Sequence, residues 1–287
     1  MNFPGIVSPY NEDLLRGLSG HSVAVRVQDP ADAAAAAACA RQSGSRLVCV
    51  LIESDSPLSE IELPEDSRGI PLALAVPSAG RFRSFAGRLK HLRQFNLRVY
   101  LSCSRPENIL SLRILSSVGI HGCAVIERGV KHWEEIADLM TYAMLERAHH
   151  ASIEPFTFIA DNYDPFSHID WAFFYFDDPK SFLHLDIEGR VALSREDLAK
   201  ERFVARNLCE IADPDQFPPI QEWLRRRREY FVGLHPCASC AGWKLCLGKY
   251  ETSRGPECSA FFIEMIEVAR RFKALRARNG EAQIWQP

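Results

Sequence analysis

Between residues 22 and 160, short apolar runs alternate with longer stretches of helical spacing, and this alternation restricts the fold more than any other feature of the chain. The runs at 22–27, 47–52, 70–76, 97–102, 120–126 and 156–160 are rich in Val, Ile, Leu and Ala, with the little polar alternation expected of strands buried on both faces. Between them, 31–41 is Ala-rich, 81–95 sets Phe85, Leu89, Leu92 and Phe95 on one helical face, and 107–118 and 131–149 repeat that spacing. Strand and helix in turn predict βα units. The expected fold class is therefore α/β, either an open doubly wound sheet or a partial or complete (β/α) barrel-like N-terminal domain. The first run leads into Gln28, Asp29 and Pro30 rather than a Gly-x-Gly-x-x-Gly turn, which weighs against a dinucleotide site.

Asp29, Glu53, Asp55, Glu127 and Asp161 each follow a predicted strand. A barrel enzyme keeps its chemistry on that rim, but capping and the helix dipole also collect carboxylates there, and this second reading is the simpler one. His149 and His150 close a long predicted helix beside Glu146, where imidazoles satisfy free carbonyls more often than they bind metal. His121 and His184 remain as acid–base candidates. No nucleophile stands at a diagnostic spacing from either, so an enzymatic role ranks last.

Beyond residue 160 the composition changes. Asn162, Tyr163, Asp164 and Pro165 read as a turn, and the aromatic run 171–176 must be buried. Alternation on either side of Glu188 and Gly189 predicts a hairpin over 182–194. A helix at 220–232 carries Arg225, Arg226, Arg227 and Arg228, by default a solvated face and otherwise a docking surface for an acidic partner. A last helix at 259–277 shows a broad apolar stripe from Phe261 and Phe262 through Met265, Ile266 and Ala269 to Phe272. The expected division is a barrel-like domain over 1–165 and a small cysteine-bearing domain over 166–287.

Four of the nine cysteines, Cys237, Cys240, Cys246 and Cys258, fall within 22 residues, and the other five are scattered. A Cys-x2-Cys pair sets two sulfurs on one tight turn, and two more close a tetrahedral thiolate cage that suits zinc or an iron–sulfur cluster. Spacing alone leaves that choice open. Cys258 opens the last helix, where the dipole and free N–H groups favour a thiolate. A formal net charge of -3 gives no global attraction to nucleic acid or an anionic membrane, and no apolar run approaches the length of a membrane span. The first residues have neither a basic n-region nor an apolar h-region, and an odd number of cysteines without an export signal fits a reducing cytoplasm.

The βα-repeat half, the Glu188-Gly189 hairpin, Asn207-Leu208-x-Glu210, the Arg-bearing helix and Cys237-x2-Cys240-x5-Cys246 followed by Cys258 together resemble a radical S-adenosylmethionine (SAM) protein with a SPASM domain. The C-terminal likeness covers 180–275. The resemblance implies a SPASM-like domain holding auxiliary [4Fe-4S] clusters, in a family many of whose members modify ribosomally made peptides. The chain departs from the pattern twice. No Cys-x3-Cys-x2-Cys follows the first barrel strand, because Cys39, Cys49, Cys103 and Cys123 lie too far apart, so SAM is not expected as a cofactor. The stretch 190–196 lacks the cysteines of the first auxiliary cluster, and Tyr250 stands where a further ligand would follow Cys246 by four residues.

What the resemblance then implies is one auxiliary-type [4Fe-4S] cluster on Cys237, Cys240, Cys246 and Cys258, with structural zinc as the alternative. A chain of this kind is similar to the non-catalytic SPASM-domain proteins of GeoRSP-type peptide-modification systems. That likeness implies an accessory role in electron relay or docking, with a radical SAM/SPASM enzyme, or a peptide and its chaperone, as partner.

Overall fold

The computed structural model describes residues 3–81, 87, 89–169, 171–233, 235–248 and 257–278. In chain order the elements are β1 (Gly5–Pro9), α1 (Glu12–Arg16), β2 (Ser22–Val27), α2 (Ala33–Gln42), β3 (Arg46–Glu53), β4 (Leu72–Ala75), β5 (Leu97–Ser102), α3 (Pro106–Ser117), β6 (His121–Val125), α4 (Trp133–Leu145), β7 (Ile153–Glu154) and α5 (Phe156–Asn162). There follow β8 (Phe182–Leu185), β9 (Val191–Ala192), α6 (Arg195–Ala199), α7 (Pro218–Val232), α8 (Trp243–Cys246) and α9 (Glu257–Arg278). Short 3-10 turns link several of them.

The strands form one nine-stranded, mostly parallel sheet in the order β7-β6-β5-β4-β3-β2-β1-β8-β9. From β1 to β7 spatial order follows chain order without reversal. A doubly wound sheet reverses at a switch point, so the topology is compatible with a partial barrel-like domain instead. β8 adds parallel to β1, and β9 returns antiparallel on β8 with His184 opposite Ala192 and Leu185 opposite Val191. This is the expected hairpin. Its turn is fixed by the Asp186 carboxylate, which accepts the N–H groups of Glu188 at 3.0 Å and Arg190 at 2.8 Å. Gly189 takes the left-handed φ of +81° that the turn requires.

Two local readings are corrected. The run 156–160, expected as a strand, is helix α5, and the strand at that place is the two-residue β7 just before it. Five apolar residues fit either state, and here the helix start is stabilised from upstream. The Glu154 carboxylate accepts the Phe158 N–H at 2.9 Å, and the Thr157 hydroxyl accepts the Ile153 N–H at 3.0 Å. Helix α4 ends at Leu145, short of the expected 149. Of the helix expected over 81–95, residues 82–86 and 88 lie outside the described residues, while 89–92 are helical.

The chain divides into two compact units, Met1–Leu101 with Ala172–Glu229, and Ser102–Trp171 with Tyr230–Pro287. This differs from a single boundary at 165. The reason is long-range pairing: β8 joins the edge of β1, whereas α9 packs on α4 and α5. In the first unit α2 packs on β2 and β3 with Ala33, Ala36, Ala37 and Ala40 buried, and small side chains permit close approach. In the second unit Phe261, Phe262, Met265, Ile266 and Ala269 of α9 are buried as the stripe predicts. Rings of that unit cluster around them, with Trp133 5.1 Å from Phe261 and Trp171 6.2 Å from Phe262. Among the described residues no helix is long and apolar enough to cross a membrane.

Candidate functional site

All four clustered cysteines belong to the second unit and sit on three short pieces of structure. Cys237 and Cys240 lie three residues apart at a 3-10 turn (Pro236–Ser239), where the Cys240 N–H donates to the Cys237 carbonyl at 3.2 Å. The His235 side chain caps that turn by accepting the Cys237 N–H. Cys246 ends α8 and is buried, and Cys258 lies in the first turn of α9. Helix α8 packs against both the turn and α9. Across them, Cys240 Sγ lies 3.3 Å from the hydroxyl of Ser259, the residue after Cys258. Gly242 permits this closeness, since a Cβ there would stand 2.6 Å from Phe262 Cβ and 3.5 Å from Cys240 Sγ.

A strap from the same unit holds this region in place. The buried Trp171 indole donates to the Leu245 carbonyl at 2.6 Å, the Ile169 N–H donates to Lys244 at 3.1 Å, and the Lys244 ammonium reaches the Pro165 carbonyl. Four soft thiols on mutually packed elements fit an iron–sulfur or zinc donor set. The side chains themselves are not gathered: among the described residues no three His, Cys, Asp or Glu come together as a group that would hold a metal ion. Residues 249–256, Tyr250 included, lie outside the described residues.

The other candidates from the sequence are dispersed. Asp29 caps a 3-10 turn through the Ala31 N–H at 2.9 Å, Glu127 accepts from the Ser102 hydroxyl at 2.7 Å, Asp161 pairs with Arg276 at 2.7 Å, and Asp55 is exposed. His150 lies 2.9 Å from the Ala151 carbonyl, and His121 lies 2.9 Å from the Ser152 hydroxyl. In the Arg225–Arg228 run, Arg225, Arg226 and Arg228 are exposed, and Arg225 is tied to Glu222 at 2.7 Å and to Glu229.

Sequence reasoning missed a polar sheet face in the first unit. Paired residues of a parallel sheet point to the same side, and neighbours along a strand alternate. Register places Pro9, Arg26, Leu51, Ala73 and Arg98 in one row, and Glu53, Ala75 and Tyr100 in another on the same face. His184 joins that face opposite Val7. The reverse face carries Ile6, Val23, Val25, Val50, Ile52, Leu72, Leu74 and Val99.

Aromatic residues cover part of this polar face. Arg98 stands 5.5 Å over the Phe174 ring, and Tyr100 stacks on Phe176 at 6.4 Å. Phe176 has φ of +55°, which is rare for a bulky residue and tends to mark functional sites, and its carbonyl lies 2.6 Å from His184 Nε2. Arg26 donates from Nη2 to the Leu185 carbonyl at 2.7 Å, while its Nε is buried without a hydrogen-bond partner. Glu53 Oε1 lies 3.0 Å from Arg195, near enough for an ion pair although not aligned as a hydrogen bond. The available signal was a single polar residue at alternate positions, as with Arg98 and Tyr100 in Leu97–Ser102.

Burial pushes the His184 imidazole down from its ordinary 6.5 to about 4, with the Phe176 carbonyl opposing the shift. The unfolded chain takes up that proton near 6.5 and the folded chain resists it until about 4, so stability is lost as pH falls through this window. The full span is on the order of 3 kcal/mol. Urea midpoints should fall more steeply between these values in the wild type than in His184→Asn, whereas equal slopes would exclude His184 as the source. Burial likewise raises the Cys49 and Cys103 thiols to about 12, whereas Cys209 is exposed. Iodoacetamide should modify Cys209 in the native protein and reach Cys49 and Cys103 only in denaturant, as read by mass spectrometry; equal rates would contradict their burial.

No family model, no curated protein and no solved structure matches this chain.

Proposed function

We propose that this protein is a non-catalytic accessory protein that carries one auxiliary-type [4Fe-4S] cluster on Cys237, Cys240, Cys246 and Cys258. It serves a radical SAM peptide-modification system in a reducing cytoplasm, by relaying electrons or by docking the peptide or the modifying enzyme. The observation that carries this reading is the placement of all four thiols on three elements in mutual contact, with Cys240 Sγ 3.3 Å from the residue after Cys258. A cluster held by four thiolates has no open iron, so it supplies one-electron transfer rather than cofactor cleavage. The chain's part is to tune that cluster, through the burial of Cys246 and the local backbone N–H groups, and to fix its position through the Trp171 strap.

The absence of an activating cysteine loop and the dispersal of the carboxylates support a non-catalytic role. Protein purified without oxygen should be brown, with a broad visible band that bleaches on reduction, and should leave SAM intact. Colourless protein loaded with zinc would overturn the iron–sulfur reading in favour of a structural metal, and consumption of SAM would overturn the non-catalytic one.

A further inference from the structure

In the second unit Phe166 stands 92% exposed, more than any other large apolar side chain among the described residues. The turn that carries it is braced. The Asp164 carboxylate accepts the Phe166 N–H at 3.0 Å and the Ser167 hydroxyl at 2.6 Å, and the Lys244 ammonium reaches the Pro165 carbonyl. Tyr163 and Ile169, both buried, fix its two ends. A lone exposed apolar residue needs no explanation, but an aromatic ring held out by a braced turn has the form of an interface anchor.

Beside this turn lies a basic side of α9. Lys244 and Lys273 are both near enough to act on the Asp164 carboxylate, and Arg276 and Lys273 act on Asp161. Residues 268–278 contain Arg270, Arg271, Lys273, Arg276 and Arg278 and no acid. Arg276 is tied to Asp161 at 2.7 Å, whereas Arg270 and Arg271 are exposed and, among the described residues, make no ion pair. Cations complement the helix dipole only within the last turn, and Arg270 stands about two turns before the end at Arg278. Arg270 and Lys273, three residues apart, share one side of the helix. From the anchor and these cations, we infer that the Phe166 turn and this side of α9 form a docking surface for an acidic segment of a partner protein. Apolar side chains of that segment close around the Phe166 ring, and its carboxylates meet Lys273 and Arg270. Charge favours such a partner over nucleic acid, because Asp161 and Asp164 lie among the cations and would face phosphates. The surface includes none of the four clustered cysteines, so it stands whether or not they bind metal.

Fluorescence anisotropy with the full chain and three labelled probes tests this: a peptide repeating Glu-Leu-Leu-Glu, the same peptide with Ser in place of Leu, and oligouridylate. The leucine peptide should bind at micromolar concentration, less tightly as salt rises, and the other two should bind about tenfold more weakly. Phe166→Ser should weaken the leucine peptide by about tenfold with an unchanged circular dichroism spectrum, because the ring packs on almost nothing in the free protein. Arg270→Glu combined with Lys273→Glu should weaken it by a similar factor and flatten the salt dependence, while Arg225→Glu, a reversal on another helix, should leave it unchanged. No binding, equal binding of the serine peptide, preference for oligouridylate, or an affinity insensitive to Phe166→Ser would each overturn the inference. Self-association of the chain that is lost in Phe166→Ser would assign this face to a second copy and overturn it as well.

Discussion

Replacing Cys240 with Ala should strip most of the iron from anaerobically prepared protein, while Cys209→Ala retains it. Cys240 shares a turn with Cys237, and its sulfur already approaches the start of α9, so it links two of the three cysteine-bearing elements. Removing one thiolate of four leaves an iron site open to solvent and to chelators, and the lost metal binding is lost folding free energy for the second unit. Cys209 is exposed and lies in the other unit, so its loss should be neutral. Iron and sulfide content after desalting is the measurement. Wild-type content in Cys240→Ala would remove that residue from the ligand set.

Trp171→Ala should cause the largest loss of stability of any single substitution in the second unit. Trp171 is 1% exposed, contacts the Phe262 ring and donates its indole N–H to Leu245, which precedes Cys246. Truncating a buried Trp destabilises by about 3–5 kcal/mol, because the cavity does not fully collapse. Trp171→Phe separates the parts: it keeps most of the volume, leaves the Leu245 carbonyl unpaired, and should lose only about 1–3 kcal/mol. Urea unfolding followed by circular dichroism reads both. A loss below about 1 kcal/mol for the alanine variant would mean that the strap does not hold the cysteine region.

The parallel strands were readable because strands of a parallel sheet are apolar over short, bounded runs, and β2 and β5 start and stop where those runs do. The hairpin was readable from Glu188 and Gly189, whose turn chemistry is local. β1 was not, since its five residues begin with Gly5 and end with Pro9 and give too little pattern. Helix α5 was misread because its apolar residues suit either state and its start depends on Glu154 and Thr157. The interleaving of the two units rests on β8 meeting β1, a pairing across more than half the chain that no local window contains. For the cysteines, spacing singled out the four thiols proposed as ligands, and helix α8 packs against both the turn and the helix that carry the others. The side chains themselves are not gathered among the described residues, and spacing does not encode the rotation that would gather them. The Arg26–His184 face was hidden because its polar residues occur one per strand and meet only through the register.

Quantifying iron, acid-labile sulfide and zinc in wild-type protein prepared without oxygen tests the central claim most directly. The account predicts about four iron and four sulfide per chain with negligible zinc. One zinc and no iron, or no metal at all after reconstitution with iron and sulfide, would contradict it.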